Sequence, residues 1–280
     1  MKDVLLDTLL DSAKLLPFLF FAFLIIEWLE RKLNKKTEKA ISKSGKLGPI
    51  FGSALGIIPQ CGFGVVATNL YITRIITLGT LFSVYLSTSD EMLPVLLSEK
   101  APIDLIIKIL AIKFAVGIIY GFIIDFVLRR KEKIKIHELC DDEHCHCEED
   151  GILKSSVIHT LKTIAFIFVI TFILNTLFEF YGEAYLSKIF LKDSLFAPFV
   201  SSLIGLIPNC GASVMITELY LNGAFSFATL IGGLLTGSGI SLIVLFKSNK
   251  NLKENLFIVL TLYLLGAITG VAIELIMMCI

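Results

Sequence analysis

The sequence predicts an all-α polytopic membrane protein built from two inverted-topology repeats, each with a re-entrant hairpin and a broken transmembrane helix. Three observations predict this class. Of the 280 residues, 55% are hydrophobic and only 18% are charged, which is far too little charge for a soluble domain of this size. A seven-residue motif occurs twice. The basic charge of the loops also swaps between matching positions of the two halves.

The first copy of the motif is Gly56-Ile57-Ile58-Pro59-Gln60-Cys61-Gly62. The second copy is Gly205-Leu206-Ile207-Pro208-Asn209-Cys210-Gly211. The offset is 205 − 56 = 149, and it holds without a gap in both directions. We therefore divide the chain into a first membrane repeat at 1–131, a linker at 132–149 and a second membrane repeat at 150–280. The offset pairs Pro49 with Pro198, Tyr71 with Tyr220, Gly117 with Gly266 and Gly121 with Gly270.

Each motif is predicted to form the tip of a hairpin. Proline ends a helix because it lacks an N–H and clashes with the preceding turn, and glycine tolerates the turn that follows. The apolar segments on either side, 47–58 and 63–72, are shorter than the roughly 20 residues that cross a bilayer. A proline kink is the alternative, but two breaks at matching positions are typical of a transporter binding site.

The remaining apolar segments predict three crossings in each half. One of the three is interrupted by polar residues, at 87–91 in the first half and at 236–239 in the second. Counting each hairpin as two segments gives ten membrane segments. The predicted segments are 12–30, the hairpin, 75–97 and 105–128, and then 157–179, a hairpin at 196–221, 224–246 and 255–278.

Loop charge predicts that the second half enters the membrane the other way up. The loop 31–46 carries seven Lys or Arg and one acid, whereas its counterpart 180–195 carries two Lys and two acids. The loop 98–104 has one Lys, and its counterpart 247–253 has three. Basic short loops lie in the cytoplasm, so the matching loops are expected on opposite faces, with both termini outside.

The interruption of the first broken span predicts a metal site. Asp90 and Glu91 follow three hydroxyl side chains, and an acid within a membrane segment is functional by default. A broken helix presents free carbonyls, and carbonyls, hydroxyls and carboxylates together suit a hard divalent cation. Capping of a helix near the outer surface is the alternative. The proposed ligands here are Ser87, Thr88, Ser89, Asp90 and Glu91, with Ser238 in the second half.

The two motif cysteines are a second candidate site. Cys61 follows Gln60, and Cys210 follows Asn209, so both thiols are expected at the hairpin tips. A thiolate binds soft metals and trivalent arsenic, whereas a buried cysteine is otherwise a small hydrophobe. Both interpretations remain open for these residues.

Asn69 and its counterpart Glu218 are expected in the second arm of each hairpin. Their difference in charge indicates a coupling-ion or proton site, with a solvated hairpin end as the alternative. Lys108 and Lys113 lie early in a predicted span, and we expect both to reach the outer surface with their long side chains.

The linker between the halves is rich in metal-binding side chains. Short His- and Cys-rich tracts bind metals, and this one is expected to collect metal on the cytoplasmic side. An acidic linker without metal is the alternative, because the spacing matches no folded zinc motif. The candidate ligands are His137, Cys140, His144, Cys145, His146 and Cys147.

Several classes are disfavoured by the composition. The formal net charge is zero, so nothing indicates a nucleic-acid partner. The positions of the six cysteines do not form a disulfide framework. No Gly-x-x-x-x-Gly-Lys-Ser/Thr motif occurs, which favours transport driven by ion gradients.

Two motifs carry a resemblance to a known family. Ile58-Pro59-Gln60-Cys61-Gly62-Phe63 and Ser87-Thr88-Ser89-Asp90-Glu91 resemble the ten-segment heavy-metal exporter family, whose members are labelled arsenic efflux proteins or manganese transporters. The resemblance covers nearly the whole chain. It implies a metal transporter in the cytoplasmic membrane of a prokaryote, and it leaves the substrate open.

We therefore expect a secondary transporter, not an enzyme, that exports a manganese-like divalent cation. An arsenical efflux permease is the first alternative, and a membrane thiol oxidoreductase or a metal sensor is the alternative from another class. The expected partners are the lipid bilayer and the transported metal ion. No cofactor is expected beyond that metal and any metal held by the 137–150 tract, and assembly into a homo-oligomer is left open.

Overall fold

The computed structural model describes residues 47–59, 61–89, 92–128 and 195–279, together with single positions between 8 and 24 and between 153 and 176. Those single positions are helical, but most of the predicted crossings at 12–30 and 157–179 lie outside the described residues. The described ranges contain helices α1 Gly48–Gly56, α2 Cys61–Ile72, α3 Leu78–Ser87, α4 Met92–Ser98, α5 Ile103–Val127, α6 Ala197–Gly205, α7 Cys210–Leu221, α8 Phe227–Thr236, α9 Ser241–Ser248 and α10 Leu252–Cys279.

The two sets of helices begin at matching positions. Each of α6 to α10 starts 149 residues after its counterpart among α1 to α5, as in 197 − 48 = 149 and 252 − 103 = 149. The gapless repeat of the sequence is therefore also a repeat of local structure.

The helices that flank each motif are short. α1 has nine residues and α2 has twelve, and α6 and α7 have the same two lengths. At 1.5 Å per residue these helices are about 14 and 18 Å long, against a hydrocarbon layer of about 30 Å. None of the four can cross a membrane alone. Pro59 and Pro208 lie in the turns between them, as the sequence predicted.

The interruptions predicted in the two broken spans are present. α3 ends at Ser87 and α4 begins at Met92, and α8 ends at Thr236 and α9 begins at Ser241. The described polar side chains at the two breaks, among them Thr88, Ser89 and Ser238, are buried. The chain thus places buried polar groups at both breaks.

The N-terminal ends of α3 and α8 are capped in the same way. Thr77 accepts a hydrogen bond from the N–H of Thr80, and Ser226 accepts one from the N–H of Thr229, each at 3.1 Å. The same two hydroxyls donate to carboxylates, Thr77 to Asp125 at 2.7 Å and Ser226 to Glu274 at 2.7 Å. Each carboxylate fixes the start of one central helix against a long helix, α5 or α10.

Three apolar helical segments among the described residues are long enough to cross a membrane. Two of them, α5 and α10, have only 28% and 33% of their most apolar stretch buried, whereas the span 227–248 is 89% buried. α5 and α10 expose large apolar side chains along their length, as lipid-facing helices do. The broken span formed by α8 and α9 is instead surrounded by protein.

Packing divides the described helices into two equivalent bundles. α1, α3 and α5 pack together in the first, and α6, α8 and α10 in the second. Several contacts cross between the halves, and among them α2 packs against α9 and α7 packs against α4. The second arm of each motif therefore lies against the broken span of the other half.

Glycine permits the closest of these approaches. A methyl group on Gly121 would lie 2.8 Å from Cβ of Pro49 and 2.9 Å from the carbonyl oxygen of Gly79. A methyl group on its counterpart Gly270 would lie 2.7 Å from Cβ of Pro198. Small residues at such positions let two helices approach closely.

Candidate functional site

The first break lies directly against the turn that holds the first motif. The N–H of Ser89 donates to the carbonyl oxygen of Gly56 at 3.2 Å, and the hydroxyl of Ser89 donates to the carbonyl of Ile57. These bonds use carbonyls that the end of α1 leaves without helical partners. The turn after α1 and the break after α3 are therefore held together by main-chain contacts.

The second break lies against the second motif in a similar way. The hydroxyl of Thr236 donates to the carbonyl oxygen of Ser202 in α6 at 2.8 Å. A methyl group on Gly205 would overlap the carbonyl oxygen of Gly233. The last turns of α6 and α8 are thus in direct contact.

A contact between the halves brings these two regions together. A methyl group on Gly64, near the start of α2, would collide with the hydroxyl of Ser241, the first residue of α9. The first motif therefore also lies beside the second break. We call this region the junction, defined by the two turns at 57–59 and 206–209 and the two breaks at 88–89 and 237–240.

The hydroxyls of the first break bond back onto α3. Ser87 donates to the carbonyl of Ser83 at 2.6 Å, and Thr88 donates to the carbonyl of Val84 at 2.7 Å. Each hydroxyl donates its hydrogen to a carbonyl of the helix, and its oxygen lone pairs can still accept a hydrogen bond. A hydroxyl held in this way can coordinate a cation.

The second half supplies a different pair of polar groups. Ser238 is 1% exposed, and its hydroxyl has no hydrogen-bond partner in the described part of the chain. Asn209 caps α7 by accepting a hydrogen bond from the N–H of Gly211 at 2.8 Å. A buried hydroxyl without a partner is costly, and Ser238 is therefore available to a ligand.

Asn69 and Glu218 are placed differently. Asn69 in α2 is fully buried, and neither atom of its amide has a partner among the described residues. Its neighbour Thr68 is hydrogen bonded to the hydroxyl of Tyr85 at 2.6 Å. Glu218, the counterpart of Asn69, has an exposed side chain. The structure thus puts the amide inside the protein and the acid outside.

Several predicted site residues lie outside the described part of the chain. These are Gln60, Asp90 and Glu91 and the tract that contains His137, Cys140, His144, Cys145, His146 and Cys147. Cys61 and Cys210 are the first residues of α2 and α7, but their side chains are also outside it. Within the described part, no three His, Cys, Asp or Glu side chains gather to hold a metal.

Lys113 is where the sequence expectation was wrong. It is fully buried, and its Nζ donates to the carbonyl oxygen of Leu234 at 2.5 Å, so it does not reach the outer surface. Lys108, five residues earlier, is exposed as expected and lies over the ring of Phe227. The repeat does not distinguish the two lysines, because their counterparts Phe257 and Leu262 are both apolar.

A second polar cluster was not predicted from the sequence. Arg74, just after α2, forms two parallel bonds with Glu254 at the start of α10, at 2.9 and 3.1 Å. The hydroxyl of Tyr71 donates to the same carboxylate. This pair joins the two halves beyond the second break, and its partners are 180 residues apart.

The described junction can therefore do one kind of chemistry well. It offers hydroxyl, amide and main-chain carbonyl oxygens in a buried place where several helices end. Such oxygens replace the hydration shell of a hard cation.

The long apolar helices and buried broken spans define the class: a multi-pass α-helical membrane protein. A family model described as "Putative, 10TM heavy-metal exporter" matches residues 1–183 and again residues 152–278. Because these matches cover nearly the whole chain, the chain belongs to this family, as the resemblance of its motifs implied. No curated protein and no solved structure matches the chain.

Proposed function

We propose that the protein is a secondary transporter that exports a hard divalent metal ion, with manganese as the first candidate, and that the junction binds this ion. The carrying observation is that the buried helix breaks at 88–89 and 237–240 lie against the segments that carry the two motifs. Helices end there, and only buried or water-lined positions within a membrane tolerate such backbone.

The chemistry of the available groups supports a hard cation. Thr88, Ser89 and Ser238 supply buried hydroxyls, and Asn69 supplies a buried amide without a described partner. Asp90 and Glu91 follow Ser89 in the sequence, and we propose that Glu91 provides the charge that attracts the ion. Oxygen ligands of this type suit manganese and related divalent ions.

We further propose that the two halves are inverted relative to each other. Helices α3 and α5 run antiparallel, because the N–H of Gly79 donates to Asp125 and Ser83 donates to the Gly117 carbonyl. Helices α5 and α8 run parallel, since Lys108 lies over Phe227 and Lys113 contacts Leu234. These contacts support opposite directions for the matching helices α3 and α8, as an inverted repeat requires.

The short helices are proposed to form re-entrant hairpins whose tips carry the motifs. Their lengths support this, because α1 and α2 are each too short to span a membrane. With two hairpins and six crossings, the protein would have ten membrane segments. We place it in the cytoplasmic membrane of a prokaryote, with the 137–150 tract on the cytoplasmic side, where metal for export is collected.

Efflux of a trivalent arsenical is the second candidate. Cys61 and Cys210 are the first residues of two matching helices, and both belong to the motifs that meet at the junction. Sulfur suits a soft substrate, and two thiolates near one another would bind trivalent arsenic better than manganese.

Uptake into proteoliposomes, measured metal by metal and with arsenite included, tests the proposal. Glu91→Gln keeps the size of the side chain and removes its charge, so manganese transport should fall at least tenfold. The double variant Cys61→Ser with Cys210→Ser keeps polar groups at both tips, and manganese transport should persist. If the double variant is inactive while Glu91→Gln still transports, the substrate is soft and the manganese assignment is wrong.

A further inference from the structure

Lys113 is a buried cation in a protein that we propose binds a metal cation. Its side chain is fully buried within α5. A charged side chain inside a membrane protein is costly and is commonly retained for function. The following inference rests on the proposed function, and it concerns what this ammonium does to the ion.

The ammonium group occupies the end of a broken helix. Leu234 lies in the last turn of α8, which ends at Thr236. In an uninterrupted helix the Leu234 carbonyl would accept from the N–H of residue 238, but that N–H instead donates to the carbonyl of Thr236 at 2.8 Å. Lys113 therefore bonds a carbonyl that the break sets free, at the negative end of the α8 dipole.

An unpartnered hydroxyl lies next to this position in the chain. Ser238, four residues after Leu234, has a buried Oγ with no hydrogen-bond partner among the described residues. Carbonyls without helical partners and a hydroxyl without a described partner attract a cation when they lie at the negative end of a helix. The break after α8 thus has the features of a cation site, and the ammonium of Lys113 lies at its edge.

The matching position of the other half shows that the scaffold does not require this lysine. The counterpart of Lys113 is Leu262, since 113 + 149 = 262, and Leu262 is fully buried. An apolar side chain fills the equivalent place on α10 without a charge. The lysine therefore occurs in the first half only, and it lies beside the helix break of the second half.

We propose that Lys113 is a tethered cation that occupies the carbonyl end of α8 when no metal is bound and gives up that place to the transported ion. The ammonium and the divalent ion repel each other, so the lysine lowers the affinity of the junction and speeds release. Like charges a few ångströms apart change an equilibrium constant by well over about tenfold even at an effective dielectric constant near 20. Lys113 is thus a positioning residue that sets how tightly the ion is held.

The test compares Lys113→Met with Lys108→Met, which removes the same charge from the exposed face of the same helix. Equilibrium dialysis with Mn²⁺ measures affinity, and uptake into proteoliposomes measures the maximal rate. For Lys113→Met we expect a dissociation constant at least tenfold lower and a maximal rate at least fivefold lower. For Lys108→Met both values should stay within twofold of the unmodified protein.

The outcomes separate this inference from the proposed function. A merely structural lysine would leave binding unchanged or weaken it on replacement, and either result for folded Lys113→Met overturns the inference alone. Lys113→Gln, which keeps a donor for the Leu234 carbonyl, should also bind more tightly. If neither variant folds, Lys113 is a structural cap and the inference fails. If the unmodified protein binds no Mn²⁺, the proposed function fails as well.

Discussion

The two halves of the protein share their packing residues and differ in some of their buried polar residues. Thr77 with Asp125 and Ser226 with Glu274 make the same cap in both halves, and the close glycine contacts recur as well. At the junction the hydroxyls of Ser89 and Ser238 also match, since 89 + 149 = 238. Several other polar groups have no match, and the unmatched pairs include Asn69 and Glu218, Arg74 and Gly223, Tyr85 and Leu234, and Lys113 and Leu262.

This difference separates the scaffold from the features that act on a substrate. A duplicated fold needs the same caps and close approaches in each copy, so those residues stay the same. A substrate that binds where the halves meet is contacted by both copies at once, and its ligands need not match. Unmatched buried polar residues such as Asn69 and Lys113 therefore indicate a role particular to one half, whereas the matched Ser89 and Ser238 place one hydroxyl from each half at the junction.

The largest loss of stability is expected at the close-packed glycines that both halves share. Gly121→Ala and Gly270→Ala each push a methyl group into a proline ring and a main-chain oxygen. Overpacking of this kind costs roughly 1–3 kcal/mol, so Tm in detergent should fall by several degrees in both variants. Gly237→Ala is the control, because its methyl group would meet nothing closer than 3.6 Å. Loss of stability in only one half would break the equivalence of the two bundles.

A smaller change in stability is expected at a position where the halves share a left-handed backbone conformation but have different residues. Arg74 has φ 59° and its counterpart Gly223 has φ 73°, a left-handed conformation that costs a side-chain-bearing residue about 1 kcal/mol or more. Arg74→Gly and Arg74→Ala both remove the ion pair with Glu254, but only alanine keeps the strain. Arg74→Gly should therefore be more stable than Arg74→Ala by about 1 kcal/mol in thermal unfolding.

The same pair of substitutions at Lys100 provides a control for this comparison. Lys100 also has a left-handed φ, of 53°, and it lies in the loop after α4 without a role in joining the halves. The glycine variant should again be the more stable one. Equal stability of Arg74→Gly and Arg74→Ala would mean that the turn relaxes once the ion pair is removed, and that the alanine variant carries no left-handed strain.

The smallest effect is expected from the segment that belongs to neither half. Deletion of residues 137–150 removes the His- and Cys-rich tract and leaves both repeats intact. Transport should weaken at low metal concentration, because less metal is collected, and should be unchanged at saturation. Complete loss of transport at saturating metal would place the tract within the transport pathway.

The sequence predicted the fold more completely than the site. Proline and glycine mark the turns between the short helices, and polar runs mark the two breaks, so local chemistry was enough to locate these elements. The offset of 149 then gave the matching helix starts. These features depend on neighbours in the chain, which a sequence displays directly.

The contacts between the halves could not be predicted in this way. Lys113 was expected at the surface because it lies early in an apolar span, but its partner Leu234 is 121 residues away. The partner of Arg74 is more distant still. A comparison of the two halves would not have separated Lys113 from the exposed Lys108 either, since both lie opposite an apolar residue, Leu262 and Phe257.

Cysteine labelling tests most directly whether the two halves are inverted in the membrane. Single cysteines at Ser98 and Ser248, at the ends of the matching helices α4 and α9, are placed in a background without the native cysteines. A membrane-impermeant maleimide is then added to intact cells. The inverted arrangement predicts that only Ser98→Cys is labelled until the membrane is permeabilised. Labelling of both positions, or of neither, would contradict the inversion.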